Sequence, residues 1–143
     1  MYGSNASPFS QRGSGASLYS RVGVETDVGN ASPHRLVTLL FEGVFSSMNQ
    51  ARAAIQSGDI GLKARSLSRA VRILDEGLKA ALDLEAGPLA SDLRDLYTWM
   101  GLRLTHANLH SDLKAIEECQ RVLVPVRDAW ISIGERQQQL DAA

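Results

Sequence analysis

The sequence predicts an all-α fold: an antiparallel up-down four-helix bundle behind a mobile N-terminal segment. Three observations predict it. From about residue 33 onward, apolar residues recur at three- and four-residue spacing. No segment shows the period-two alternation of a half-buried strand. The breaks between periodic stretches are two to five residues long, which forces consecutive helices to be antiparallel neighbours. The predicted organisation is a tail over 1–30, a helical domain over 31–136 and a short C-terminal tail over 137–143.

The tail is rich in glycine and serine and poor in apolar and charged side chains, so it cannot bury enough surface to fold alone. Tyr19, Val22 and Val24 are its later apolar residues, able to dock transiently on the body. Ala31-Ser32-Pro33 marks the start of the body. Serine is a good N-cap, and proline at the first helical position loses nothing by lacking an N–H. His34, in the first turn, is expected to be solvated. The first helix is predicted over about Pro33 to Gln56, with Leu36, Leu40, Val44, Ser47, Ala51 and Ile55 on one face and Val37, Phe41 and Met48 beside it. Ser57-Gly58-Asp59 ends it.

The second helix is predicted over about Ile60 to Leu84, with Leu67, Ala70, Val71, Leu74, Leu78, Ala81 and Leu82 as its stripe. Glu85-Ala86-Gly87-Pro88 breaks it, and Gly87 suits a C-terminal stop. The third runs from about Pro88 to His110. One face carries Leu89, Leu93, Leu96, Met100, Arg103 and Ala107, bordered by Tyr97, Leu104 and Asn108. Asp112 can cap the fourth helix, where Ile116, Cys119, Leu123, Val126, Trp130 and Ile133 keep helical spacing. Pro125 predicts a kink or a restart there, because proline removes a hydrogen bond and clashes with the Arg121 carbonyl. Gly43, Gly77 and Gly101 fall inside helices, which reads as close helix–helix contact or as the floor of a groove.

Composition excludes several function classes. With 143 residues and a net charge of −1, the chain lacks the charge excess of a dominant nucleic-acid or membrane-surface binder. The single cysteine, Cys119, cannot form an internal bridge and fits a reducing compartment. There is no secretory h-region and no apolar run of transmembrane length. These features point to the cytoplasm, without membrane insertion.

No constellation carries catalytic or metal chemistry, so no enzyme activity and no cofactor is expected. His106 and His110 share a face at i, i+4 but lack a third ligand and the glutamate of a zincin motif. A phosphotransfer histidine would need a nearby lysine, and none follows His106 until Lys114. Arg65, Arg69 and Arg72 form a short basic stripe, but Arg72–Glu76 and Asp75–Lys79 have ion-pair spacing, which makes this a charge-balanced solvated face. What remains is apolar surface. The second helix adds Ile73, Gly77, Ala80 and Leu84 to its stripe, and the third adds Gly101 and Leu104 beside Tyr97 and Met100. Such width belongs either to a central helix or to a groove for a partner's amphipathic helix.

The chain resembles the FliS family of flagellar export chaperones over most of residues 19–131. The resemblance rests on order and spacing: Tyr19, then Val24-Glu25-Thr26, then Ala31-Ser32-Pro33 with Leu36, then Leu40-Phe41-Glu42-Gly43. Gly58-Asp59 follows at the first break. Its best stretch is Leu96-Tyr97-Thr98-Trp99-Met100 with Arg103-Leu104, Ala107-Asn108-Leu109 and Asp112, and Arg127-Asp128-Ala129-Trp130 closes it. The chain departs from the pattern in Asp27-Val28-Gly29-Asn30, which inserts four residues and would lengthen the tether by up to roughly 13 Å if extended. It departs again at Trp99, where tyrosine is common, and at Pro125.

The resemblance implies a cytoplasmic, non-enzymatic chaperone. Its partner would be the C-terminal segment of flagellin, kept from premature polymerisation and delivered to components of the flagellar type III export gate. It also implies client contacts on the second to fourth helices, for which Ile73, Gly77, Leu84, Leu93, Tyr97, Met100, Leu104 and Asn108 are the candidates. Tyr19, Val22 and Val24 are the candidates for an N-terminal cap over that site. An alternative is a regulatory role in which the same surface sequesters a flagellar regulator such as an anti-sigma factor.

Overall fold

A computed structural model describes residues 28–142. Four helices make up the bundle: α1 (Pro33–Ser57), α2 (Ile60–Arg72, continued by a π-helical turn over Ile73–Leu78), α3 (Pro88–His110) and α4 (Leu113–Ala142). No strand occurs among the described residues. Each helix packs against the next and α4 returns to α1. The cross-helix contacts give the directions. Early α1 meets late α4 through His34 and Trp130, and late α1 meets early α4 through Arg52 and Glu117. Early α2 meets the end of α3 through Lys63 and Ser111, and late α3 meets early α4 through Arg103 and Glu118. The bundle is antiparallel throughout.

The predicted punctuation works as chemistry. The Ser32 hydroxyl accepts from the Arg35 N–H at 3.1 Å, and Pro33 opens α1. Gly58 ends α1 in the left-handed conformation (φ 75°), which glycine adopts without a Cβ penalty. The next residue, Asp59, caps α2 by accepting from the Leu62 N–H. Asp112 does the same for α4 by accepting from the Ala115 N–H. The backbone hydrogen bond from Ala115 holds the Asp112 carboxyl below its ordinary pKa, and its side-chain contact with His106 acts in the same direction.

The core is the predicted apolar set with one rotation. Leu40, Val44, Ala51, Leu67, Ala70, Leu74, Ile116, Cys119 and Leu123 are buried as their spacing predicts. On α3 the buried face is Tyr97, Met100, Gly101, Leu104 and Ala107, whereas Leu89 is 69% exposed and Arg103 pairs with Glu118. The α3 stripe therefore centres on residues first placed at its border.

Several expectations are corrected. The second helix does not run to Leu84. Its α-helical part ends at Arg72, the π turn ends at Leu78, and Leu84–Ala86 form a separate 3-10 turn. The π turn is defined by bonds such as Lys79 N–H to the Leu74 carbonyl at 2.8 Å. Gly87 does not stop the second helix. With φ 136°, in a region that favours glycine, it turns the chain into Pro88 at the start of α3. α4 neither restarts nor breaks at Pro125, and it continues through the stretch expected as a tail, to Ala142.

Gly77 is a close contact, since a Cβ there would lie 2.9 Å from Leu40 Cδ2, but a Cβ at Gly101 would meet nothing within 4 Å. Arg69 is not part of a solvated stripe, because its guanidinium donates to the Ser47 hydroxyl on α1 at 2.6 Å. Within the inserted segment, Val28–Asn30 form a 3-10 turn, so these residues rise only about 2 Å each and the tether is not fully extended.

Candidate functional site

The bundle closes tightly at one end and opens at the other. At the open end the first turns of α1 and α3, the connection after α2, and the second half of α4 surround an apolar cavity of about 690 Å³. Its α3 wall is Leu89, Ala90, Leu93 and Tyr97, and its α4 wall is Pro125, Val126, Ala129, Trp130 and Ile133. Val37 and Phe41 of α1 and Leu78 of the π turn line it from the core side, with Ala81 and Leu82. Among the described residues, Asp83 is the only charged one in the lining. The volume lies in the range of a ligand pocket, but the walls offer almost no polar group to orient a small molecule. An apolar cleft between helices, open at the surface, fits instead the face of an amphipathic helix.

Local chemistry explains the shape of this end. Residues 79–87 connect the π turn to α3 through a short 3-10 turn, and α3 begins with Leu89 exposed. Pro125 leaves the Arg121 carbonyl without its usual helical partner and presents an apolar ring to the cavity. The α4 wall is fixed by a clasp to α1. The His34 and Trp130 rings stack at 4.5 Å with planes 5° apart. His34 Nε2 donates to the Trp130 carbonyl at 2.6 Å, and Trp130 Nε1 donates to the His34 carbonyl at 3.1 Å. A carbonyl only accepts, so the bond requires a proton on Nε2. His34 is therefore half-buried and structural, not solvated as the sequence suggested. Gly134 completes the clasp, since a Cβ there would collide with the His34 ring. Beside it, the Arg127 guanidinium lies 4.6 Å over the Phe45 ring.

The predicted contact residues fall into three groups. Leu93 and Tyr97 both line the cavity; Leu93 is half-buried, while Tyr97 is 3% exposed and burial pushes its hydroxyl up to about 12. Ile73, Met100 and Leu104 are wholly buried core side chains, and Gly77 packs on Leu40. Leu84 is exposed in the connection outside the cavity lining, and Asn108 is half-exposed near the opposite end of α3. Tyr19, Val22 and Val24 lie outside the described residues.

The α4 wall and Leu89 were not among the candidates. A signal for them existed: Val126, Trp130 and Ile133 continue the α4 stripe past the point where three partner helices remain to cover it. His106 pairs with Asp112 at 3.3 Å and packs on His110. No group of three potential metal ligands occurs among the described residues. No helix among them is long and apolar enough to cross a membrane.

Comparison with known proteins agrees with this architecture. A family model described as "Flagellar protein FliS" matches residues 15–137. The flagellar secretion chaperone FliS of Salmonella typhimurium is 43% identical over 124 residues, covering 86% of this chain and 92% of that protein. The Escherichia coli protein of the same name is 39% identical over 117 residues, 81% of this chain and 86% of the relative. That of Vibrio cholerae is 32% identical over 126 residues, 87% and 92% respectively. With a match of this extent and a helical bundle that carries its motifs in order, the chain belongs to the FliS family of flagellar proteins.

Proposed function

We propose that this chain is a flagellar secretion chaperone whose client is the C-terminal segment of flagellin, held as a helix against the apolar cavity between α3 and α4. The observation that carries the reading is the cavity itself, about 690 Å³ with a single charged residue among the described lining, in a chain of this family. A flagellin segment that packs as helices in a filament is an aggregation hazard as a free monomer. Covering its apolar face prevents premature polymerisation and keeps the client competent for the flagellar export apparatus. Ordering such a segment costs several kcal/mol, so the contact must be extensive and apolar, and an apolar cavity supports that reading. Binding nonetheless stays reversible, because the client has to be released to the export gate. The protein acts in the cytoplasm, without catalysis.

The test is co-purification of the chain with intact flagellin and with flagellin lacking its C-terminal segment. Loss of capture with the truncated client supports the reading, and undiminished capture sinks it. Leu89→Glu then locates the site. Leu89 lines the cavity yet is 69% exposed, so the variant should fold normally and bind the client more weakly.

A further inference from the structure

The apolar stripe of α4 continues where the rest of the bundle has ended. Val126, Trp130 and Ile133 wall the cavity, and the same helical spacing leads on through Gln137 to Leu140. Trp130 is the last α4 residue packed on the core. Beyond it, Ile133 is 53% exposed and Leu140 66% exposed, and residues 135–142 are exposed throughout. The Gln137 side chain donates to Asp141 Oδ1 at 3.1 Å, which ties the one polar side chain of the stripe to its own helix. The His34–Trp130–Gly134 clasp grips α4 just before the overhang begins, so the direction of the overhang is set by the bundle.

We propose that Ile133 and Leu140 extend the docking site beyond the bundle, and that the flagellin segment seated in the cavity is a helix that runs on along α4 over both residues. The proposal rests on the reading of the cavity as the flagellin site. Two arguments carry it. The first is continuity, since the cavity wall and the overhang are one face of one helix. The second is length. The cavity walls span residues 89–97 of α3 and 125–133 of α4, each a rise of roughly 12 Å, or about two turns. A helix confined to two turns presents only about three to four apolar residues on its packed face, which limits the apolar surface it can bury. Ile133 to Leu140 adds roughly 10 Å of apolar edge along the same path, which lengthens the face open to the bound helix by about two turns.

The experiment measures binding of the full chain to a flagellin C-terminal peptide by fluorescence anisotropy, for wild type, Leu140→Glu and Leu89→Glu, with a thermal melt of each. Leu140→Glu should weaken binding about tenfold with an unchanged melt, the loss expected from removing one well-buried leucine from an interface. If Leu140→Glu binds as wild type while Leu89→Glu is weakened, the overhang is not part of the site and the proposal fails, while the cavity reading stands. If neither variant is weakened, the cavity reading itself fails. If the wild type self-associates with concentration and Leu140→Glu abolishes that without affecting the peptide, a second copy is the occupant and the proposal is overturned.

Discussion

The two ends of this bundle are built from the same four helices and differ in how completely the space between them is filled. At the closed end Ala51, Ala54, Ala70, Ala107 and Ala115 are all 1% exposed or less, set among Met48, Leu67, Leu104 and Ile116. Small residues at facing positions let the helices approach, and the interface is sealed. It is also tied at the rim by Lys63–Ser111, Arg52–Glu117 and Arg103–Glu118. At the open end Ala81, Ala90 and Ala129 stand beside Phe41, Leu89, Leu93, Tyr97 and Trp130, and the helices leave a cavity between them. One end supplies stability. The other leaves apolar surface unburied, which lowers the stability of the free protein and keeps that surface available to a partner.

The same chemical change made at the two ends should have very unequal effects. Leu104→Ala removes a fully buried side chain where neighbouring helices cannot collapse onto the space, and should cost about 2–5 kcal/mol in urea unfolding. Leu89→Ala, on a side chain 69% exposed, should stay within about 0.5 kcal/mol of wild type. Equal effects would mean that the two ends are equally packed.

Next in size is the clasp that holds the cavity wall. Gly134→Ala places a methyl group against the His34 ring, and stacking as well as both reciprocal hydrogen bonds must adjust. A loss of about 1 kcal/mol is expected, the low end of the range for overpacking, since the contact is only half-buried. It should be accompanied by a change in Trp130 fluorescence, because the indole loses its stacked partner. A variant with native stability and native fluorescence would show that the clasp is not what positions α4.

How much of this was legible beforehand differs between the helices and the two ends for a physical reason. Helical periodicity reports which face is apolar, so the four helices were legible from spacing, and residue chemistry marked the caps at Ser32 and Asp112, whereas the Asp59 cap and the closed end emerge only in the structure. Periodicity does not report whether a partner helix is near enough to cover that face. Ile73, Met100 and Leu104 therefore looked the same as Leu93 and Tyr97, although only the latter two line the cavity. The early end of the second helix was equally hidden. Residues 73–84 keep an acceptable helical pattern, and the π turn over Ile73–Leu78, where Gly77 packs on Leu40, leaves no mark in that pattern. His34 was misplaced for the same reason, since its partner stands 96 residues away.

A finer measure of closure is Cys119, fully buried among closed-end residues, with its thiol pushed up to about 12 by burial. A disulfide reagent at pH 8 should modify the native protein on the order of a hundredfold more slowly than the urea-unfolded chain, since only opened molecules expose a thiolate. The same group fixes a sign. The folded state retains the thiol proton above the ordinary value near 9, where the unfolded state loses it. This contribution is complete below pH 9 and lost as pH rises toward 12. Rapid modification of the native protein would place the opening at the closed end instead.

The smallest expected effect concerns the rim of that end, at Asp112. Its carboxyl accepts the Ala115 N–H and faces His106, and both contacts favour the charged form, so its folded pKa lies below the unfolded one. Through the interval between the two values the unfolded chain binds more protons, and stability falls as pH is lowered. The contribution is present at neutral pH and disappears as the pH drops through the folded value. Asp112→Asn keeps an acceptor for the Ala115 N–H but removes the charge, which isolates the electrostatic part. The stability difference between wild type and this variant should be small at pH 7 and shrink toward zero in acid, read from urea midpoints across the pH series. A difference that stayed constant with pH would mean that Asp112 acts only as a neutral cap, and the polar ties at this rim would then contribute geometry without charge.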